Sequence, residues 1–335
     1  MRGLGFIILD SRTLCQSERS FFVKITSVGK NVLVLPRKTS SARRLQNKLT
    51  IVLFLLPAIV LFSIFLVYPI FQSVYHSFFS WNGFGPAVDF IGLDNFKRIL
   101  TDWIFLKAVG NGLLIVVLSL IIQLPLAMAL ALMVGRNLRG RAFFRTIFFM
   151  PYVLSEVITG IMWMILFNPD PNRGFINAIL TLIPGIKAIP WLGDTRTVLM
   201  ALFVVLTWKY FGFHMLLYLA GLQSIPPEIE EAALIDGVNN RQMITRITIP
   251  LIGSTIRTSV YLSVLGSLQV FALVWIMTKG GPVNASEVMS TYMYRFSFVR
   301  FELGYGSAVA IVMLLISLVF SVAYLRLTRQ TEYLN

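Results

Sequence analysis

Long runs of apolar residues, nearly free of charge, stand at about 51–75, 108–134, 147–167, 198–222, 251–277 and 305–327. Crossing a bilayer core takes ~20 apolar residues of α-helix. Lipid offers the backbone no hydrogen-bond partner, so a spanning segment must satisfy its own N–H and C=O groups. The runs therefore predict an all-α polytopic membrane protein with six transmembrane helices. Composition agrees, with 56% hydrophobic and 13% charged residues and a mean hydropathy of +0.77, well above a soluble domain. Pro57, Pro69 and Pro125 fall inside or at the ends of runs, where membrane helices tolerate them if neighbours satisfy the freed carbonyls.

The net charge of +14 is not arranged for nucleic acid. Arg2, Arg12, Arg19, Lys24, Lys30, Arg37, Lys38, Arg43, Arg44 and Lys48 precede the first run, and Arg136, Arg139, Arg141 and Arg145 crowd one short loop. Beside spans, this is positive-inside anchoring against anionic lipid. A gross tally of Lys and Arg over all loops does not decide orientation. The residues next to the first span and in the 135–145 loop put the N-terminus inside, and six spans then put the C-terminus inside too. Residues 1–49 read as a basic cytoplasmic tail. Phe6-Ile7-Ile8-Leu9 is too short for a secretory core, and since recognisable membrane sequence begins only at Arg43-Arg44, much of the tail reads as an over-long start. Cys15 is the single cysteine, which excludes an internal disulfide or cysteine metal cluster. His76 and His214 lack ligand spacing, so no metal site is expected. No G-x-x-x-x-G-K-[ST] occurs and no Ser/His/Asp set can be assembled. The chain is predicted to hydrolyse nothing and to bind no cofactor.

The strongest polar break in the second half is Glu231-Ala232-Ala233-Leu234-Ile235-Asp236-Gly237, followed after nine residues by Ile247-Thr248-Ile249-Pro250. Pro227 suits a first helical turn, and Glu228, Glu230 and Glu231 suit the positive end of the dipole. Gly237 is a natural left-handed stop. Ile229, Ala232 and Ala233 are expected on one face with Asp236 beside them, a small-residue knob that another surface can approach closely. The order Glu-Ala-Ala, Gly, nine residues, then Ile-x-Ile-Pro resembles the EAA loop of binding-protein-dependent (type I) ABC importer permeases, with Ile249 in place of the commoner Leu.

Other stretches resemble the sugar-type members of that family. They are Phe78-Phe79-Ser80-Trp81-Asn82 with Phe90 to Phe96, Asn168-Pro169 with Gly174 and Asn177, and Lys279-Gly280-Gly281-Pro282. The resemblance covers roughly residues 45–328 and is closest to the first permease of maltose, lactose and glycerol-phosphate systems. It implies the type I permease fold: a first helix and structured extracytoplasmic segment over 50–107, then a core of five helices over 108–328 with the coupling loop at 223–250. It also implies a bacterial cytoplasmic membrane, a second permease, two ATPase subunits that carry ATP and Mg, and an extracytoplasmic binding protein that delivers a carbohydrate. Glu231, Ala232, Ala233, Asp236, Gly237, Ile249 and Pro250 would be the coupling residues.

Two charges lie inside predicted spans, Glu156 in the third and Lys209 in the fourth. A charge there costs ~2.5–3.5 kcal/mol even on insertion scales, so each is expected to face the bundle interior or a wet cavity, at similar depth, as a pair or along a path. Trp208, Tyr210 and Phe213 flank Lys209, and aromatic faces beside hydrogen-bonding groups suit a sugar. The resemblance places a mid-membrane sugar site on the spans either side of the loop, at Leu206, Lys209, Tyr210, Phe213, Ser263, Gly266, Ser267 and Val270; Gln269 is added by its depth. Arg257, near an inner span end, reads as a snorkelling anchor. Two alternatives stay open: a permease for glycerol phosphate or another non-sugar solute, whose charge Lys209 would suit, and a stand-alone secondary transporter with Lys209 and Glu156 as coupling charges.

Overall fold

The structure, a computed structural model, describes residues 24–27, 30–33, 41–135 and 140–332. The rest of the basic tail lies outside the described residues, as do Arg136, Arg139 and the side chains of Arg43, Arg44 and Lys48. The chain forms two compact units, 1–68 and 69–335. In the first, Lys24–Ser27 pairs antiparallel with Lys30–Leu33, a small β element that the all-α reading did not contain. β-Branched Ile25, Thr26 and Val32 favour it. A helix then begins at Ser41 and passes through a π-helical turn at Ser63–Val67.

The apolar helical run α1 (Leu49–His76) carries the chain into the second unit. There follow the short α2 (Asp94–Thr101) and the long α3 (Trp103–Gly135). Asp102 starts α3 as its N-cap, its carboxylate accepting the Ile104 N–H at 2.8 Å. Next come α4 (Arg141–Val153), α5 (Glu156–Leu166), α6 (Val198–Gln223) and α7 (Pro227–Ile235). The remainder is α8 (Gly253–Leu268), α9 (Ala272–Met277), α10 (Met289–Tyr294) and α11 (Leu303–Glu332). Among the described residues five helical segments are long and apolar enough to cross a membrane: Leu49–His76, Trp103–Gly135, Val198–Gln223, Gly253–Met277 and Leu303–Thr328. Counted as one broken span, the α4–α5 pair, bent by 97°, brings the number to six.

That bend corrects the expectation of one continuous helix over 147–167. Pro151 removes a donor in the last turn of α4, Leu154 and Ser155 are extended, and Ser155 Oγ then accepts the Val157 N–H as the N-cap of α5. A second correction concerns the 135–145 loop. Arg141 opens α4 and Arg145 lies one turn into it, so these two cations stand on a helix.

Helix α6 is the centre of the second unit. Its Val198, Leu202 and Val205 pack with Leu273 and Val274 of α9. One end lower, Met215, Tyr218 and Leu219 pack with Ala127, Ala131 and Val134 of α3. A third cluster joins Ile99 and Phe105 to Tyr292, Phe296, Tyr305 and Val309. Helix α4 lies against α6 at Gly212, where a Cβ would stand 1.9 Å from the Phe148 carbonyl oxygen. Close backbone approach at small residues is how membrane helices associate, and it fixes α4 on α6.

Loops after the first, third and fifth spans are latched by side chains, in the first two by asparagines of the motifs noted above. Asn95 Nδ2 donates to the Ser77 and Phe79 carbonyls at 2.9 and 3.1 Å. Asn177 donates to the Asn168 and Ile189 carbonyls, both at 2.9 Å, and accepts the Ile189 N–H. The loop that begins at Lys279-Gly280 is held by fully buried Glu287, ion-paired with Arg295 at 2.6 Å. Burial raises the Glu287 pKa, opposed by the Arg295 charge. A buried carboxylate without such a partner would be strongly destabilising.

Candidate functional site

Two places deserve description at atomic detail: the helix between the fourth and fifth spans, and the space those spans enclose. Helix α7 starts with Pro227 in its first turn and carries Glu228 and Glu230 there, near the positive end of the dipole. It stops at Gly237, whose φ is +76°. The Val238 N–H reaches the Ala233 carbonyl at 3.1 Å and the Gly237 N–H reaches the Leu234 carbonyl at 3.1 Å. These two bonds are the Schellman pattern that satisfies the last carbonyls of a helix.

The exposed face of α7 differs from the one expected. Ala233 is buried, while Glu231, Ala232, Asp236 and Gly237 are exposed. Ala233 therefore does not share the outward face with Ala232, from which one residue's rotation of about 100° separates it. Ile235 is 86% exposed and Leu234 64%, a degree of apolar exposure that suits a docking surface. After the helix, Asn239 and Gln242 form a reciprocal capping box, with bonds of 2.9 and 3.0 Å, a start signal the sequence reading missed although the spacing was visible. A π-helical turn over Met243–Thr248 leads to Ile249-Pro250. Asn239→Ala is expected to loosen this return segment alone, by about 1 kcal/mol. Amide exchange over 240–244 should then speed roughly fivefold, with the thermal midpoint of the whole protein unchanged.

Helices α6 and α8, on either side of this loop, enclose a cavity of about 540 Å³, within the range of small-molecule sites. Leu206, Tyr210 and Phe213 line it from α6, and Ser263, Gly266 and Ser267 from α8. Of the other expected residues, Gln269 and Val270, where α8 gives way to α9, and Glu156 at the start of α5 line it too. Tyr210 Oη donates to Glu156 Oε1 at 2.5 Å, and Tyr152 stacks on Phe213 with ring centres 5.0 Å apart.

Lys209 and Trp208 do not line this cavity. Lys209 is 3% exposed and its ammonium donates to the Leu154 carbonyl at 2.6 Å, with Pro151 and Tyr152 oxygens at 3.4 Å. It caps the open end of α4 at the break, where carbonyls and the negative end of the dipole favour a cation. Of the two arrangements left open for Lys209 and Glu156, the ion pair is not formed among the described residues, and each charge makes its own contact. Trp208 turns its ring against Trp163, 5.5 Å away. In place of these two the cavity gains Tyr152, Gln123, His214 and Phe271. Gln123 belongs to a polar chain in which Ser119 Oγ donates to Gln123 Oε1 at 2.8 Å and meets Ser263 Oγ at 2.7 Å. Its signal was a Ser and a Gln four residues apart in an otherwise apolar run. His214 pairs through Nδ1 with Ser259 Oγ at 2.8 Å.

A membrane bundle that keeps a polar and aromatic cavity between spans, and hangs an acidic helix from two of its walls, has the build of a solute permease. Comparison with known proteins sharpens that class. The family described as "Binding-protein-dependent transport system inner membrane component" matches residues 123–333. A probable ABC transporter permease protein, YurN of Bacillus subtilis, is 36% identical over 285 residues, covering 84% of this chain and 96% of its own. The diacetylchitobiose uptake system permease protein NgcF of Streptomyces coelicolor is 32% identical over 291 residues, or 83% and 82% of the two chains. Among solved structures, a bacterial ABC transporter that imports the acidic polysaccharide alginate superposes with a TM-score of 0.76 at 27% identity, over 86% of this chain and 98% of that one. The chain belongs to the family of inner-membrane permease components of binding-protein-dependent ABC transport systems.

Proposed function

We propose that this chain is one permease subunit of an ATP-driven bacterial importer of a carbohydrate. The observation that carries the reading is mechanical. Helices α6 and α8 wall the cavity and are the two ends of the loop that holds α7, so whatever moves α7 moves the walls. In this reading both termini and the 223–250 loop face the cytoplasm. Two ATPase subunits, which bind ATP and Mg, grip Glu231, Ala232, Asp236 and Gly237, while buried Ala233 seats the helix and Ile249-Pro250 sets the return into α8. A second permease supplies the other half of the passage, and an extracytoplasmic binding protein delivers the sugar. Closure of the ATPases rocks the spans toward the outside and hydrolysis resets them.

The sugar reading is supported by the cavity's chemistry. Rings of Tyr152, Phe213 and Phe271 offer apolar faces, and Gln123, Ser263 and Gln269 offer hydroxyl partners. NgcF, by its name, takes up diacetylchitobiose. The test is reconstitution in liposomes. Uptake of sugar should require the co-purified ATPase, the second permease, the binding protein and ATP together. Uptake by this chain alone on an ion gradient would overturn the reading in favour of a secondary transporter.

A further inference from the structure

The charge class of the cargo is not fixed by kinship, because relatives take up a neutral N-acetylated disaccharide in one case and an acidic polysaccharide in another. The cavity itself bears on it. Of the described side chains that line it, Glu156 alone is a carboxylate and none is a lysine or arginine. The lysine adjoining Tyr210 in sequence is withdrawn: Lys209 is buried and its ammonium is bound to α4 carbonyls. Its field is further offset by the negative end of α4. Glu156 by contrast is half-buried, faces the cavity, and is held there by the Tyr210 hydroxyl. His214 also lines the wall, its Nδ1 paired with Ser259 Oγ.

We propose that the passage selects by charge through Glu156, admitting neutral sugars and sugars that carry an amino group and disfavouring uronates and phosphorylated or sulfonated sugars. The proposal rests on the reading of the cavity as the passage. A carboxylate in a low-dielectric wall repels an anion and attracts a cation at close range, and like charges brought together at a site discriminate strongly. The same geometry disfavours glycerol phosphate as cargo, since the lysine that suited it points elsewhere.

The test needs no knowledge of the sugar. Cys15 is the chain's single cysteine, so C15S leaves a background in which Ser267→Cys places one thiol on the cavity wall of the assembled transporter. Two methanethiosulfonate reagents of equal length, one ending in trimethylammonium and one in sulfonate, are then compared at pH 7.5. Labelling is read on this chain by mass, in nucleotide-free and ATP-bound states, and the rate ratio is divided by that on a free thiol. Any effect of Glu156 on the thiol's own ionisation cancels in the ratio. The cationic reagent should be favoured by about tenfold, and Glu156→Gln, which keeps shape and hydrogen bonding, should bring the ratio close to one. A ratio near one with Glu156 present, or one unmoved by Glu156→Gln, overturns the charge inference and leaves the passage standing. Failure of both reagents to react, at Ser267→Cys and equally at Gln269→Cys, removes the passage and the inference with it.

Discussion

Gly237→Val should abolish coupling in a protein that still folds: uptake falls by more than tenfold and sugar no longer stimulates ATP hydrolysis, while the thermal midpoint of the purified subunit stays within a degree or two. The reason is backbone geometry. Gly237 sits at φ +76°, and a Cβ built there meets nothing within 4 Å, so the substitution meets no steric wall. What it meets is the left-handed region itself, which costs about 1–2 kcal/mol for an L-residue and is worst for a β-branched one. Relief comes from abandoning the two Schellman bonds to Ala233 and Leu234. Helix α7 then ends elsewhere and its exposed Ile235 and Asp236 no longer stand where a partner would grip them. A graded series checks the mechanism. Gly237→Asn, which tolerates this conformation, should retain most uptake, and Gly237→Ala should lie between. Normal sugar-stimulated hydrolysis and uptake in the valine variant would remove α7 from the coupling path.

What was legible in the sequence followed from run length and helical spacing. A lipid-spanning segment has to be long, apolar and helical, so the spans could be placed without any relative at hand. The cavity positions came instead from the resemblance: of those it implied, Leu206, Tyr210, Phe213, Ser263, Gly266, Ser267 and Val270 line the cavity and Lys209 does not. The turn chemistry of α7 was legible directly, because Pro227 and Gly237 act through their own backbones. Direction was not legible. Depth in the membrane says that Lys209 must find a partner; it does not say whether that partner lies on the cavity side or behind. The answer depended on the break after α4, which the hydrophobic pattern hides because Val153 and Leu154 continue the apolar run. Pro151 followed four residues later by Ser155 was the available signal, a helix stop beside an N-cap. Likewise the burial of Ala233 depends on what packs over α7, and no pattern within nine residues of helix encodes it.

Lys209 and Tyr210 are neighbours on α6, and each holds one side of that break. Lys209 takes the Leu154 carbonyl at the end of α4, and Tyr210 takes the Glu156 carboxylate at the start of α5. Lys209→Met keeps the length of the side chain and removes the donors. It is expected to destabilise the folded subunit by about 2–4 kcal/mol. A hydrogen bond from a charged donor contributes ~1.5–3 kcal/mol, and a buried carbonyl left unpaired adds its own desolvation. The readout is a lower thermal midpoint in detergent and less assembled transporter in the membrane. Lys209→Arg should recover only part of the loss, because a planar guanidinium does not converge on carbonyls arranged for a compact ammonium. The protein that does assemble should also transport poorly. Tyr152 and Glu156, two and one residues from the break, would shift on the cavity wall, whereas a defect confined to stability would leave uptake per assembled complex unchanged. If Lys209→Met matches the parent in midpoint and uptake, the break is held without it, by the close approach of α4 to α6 at Gly212 and the Tyr210–Glu156 bond, and the lysine is only a charge that found shelter.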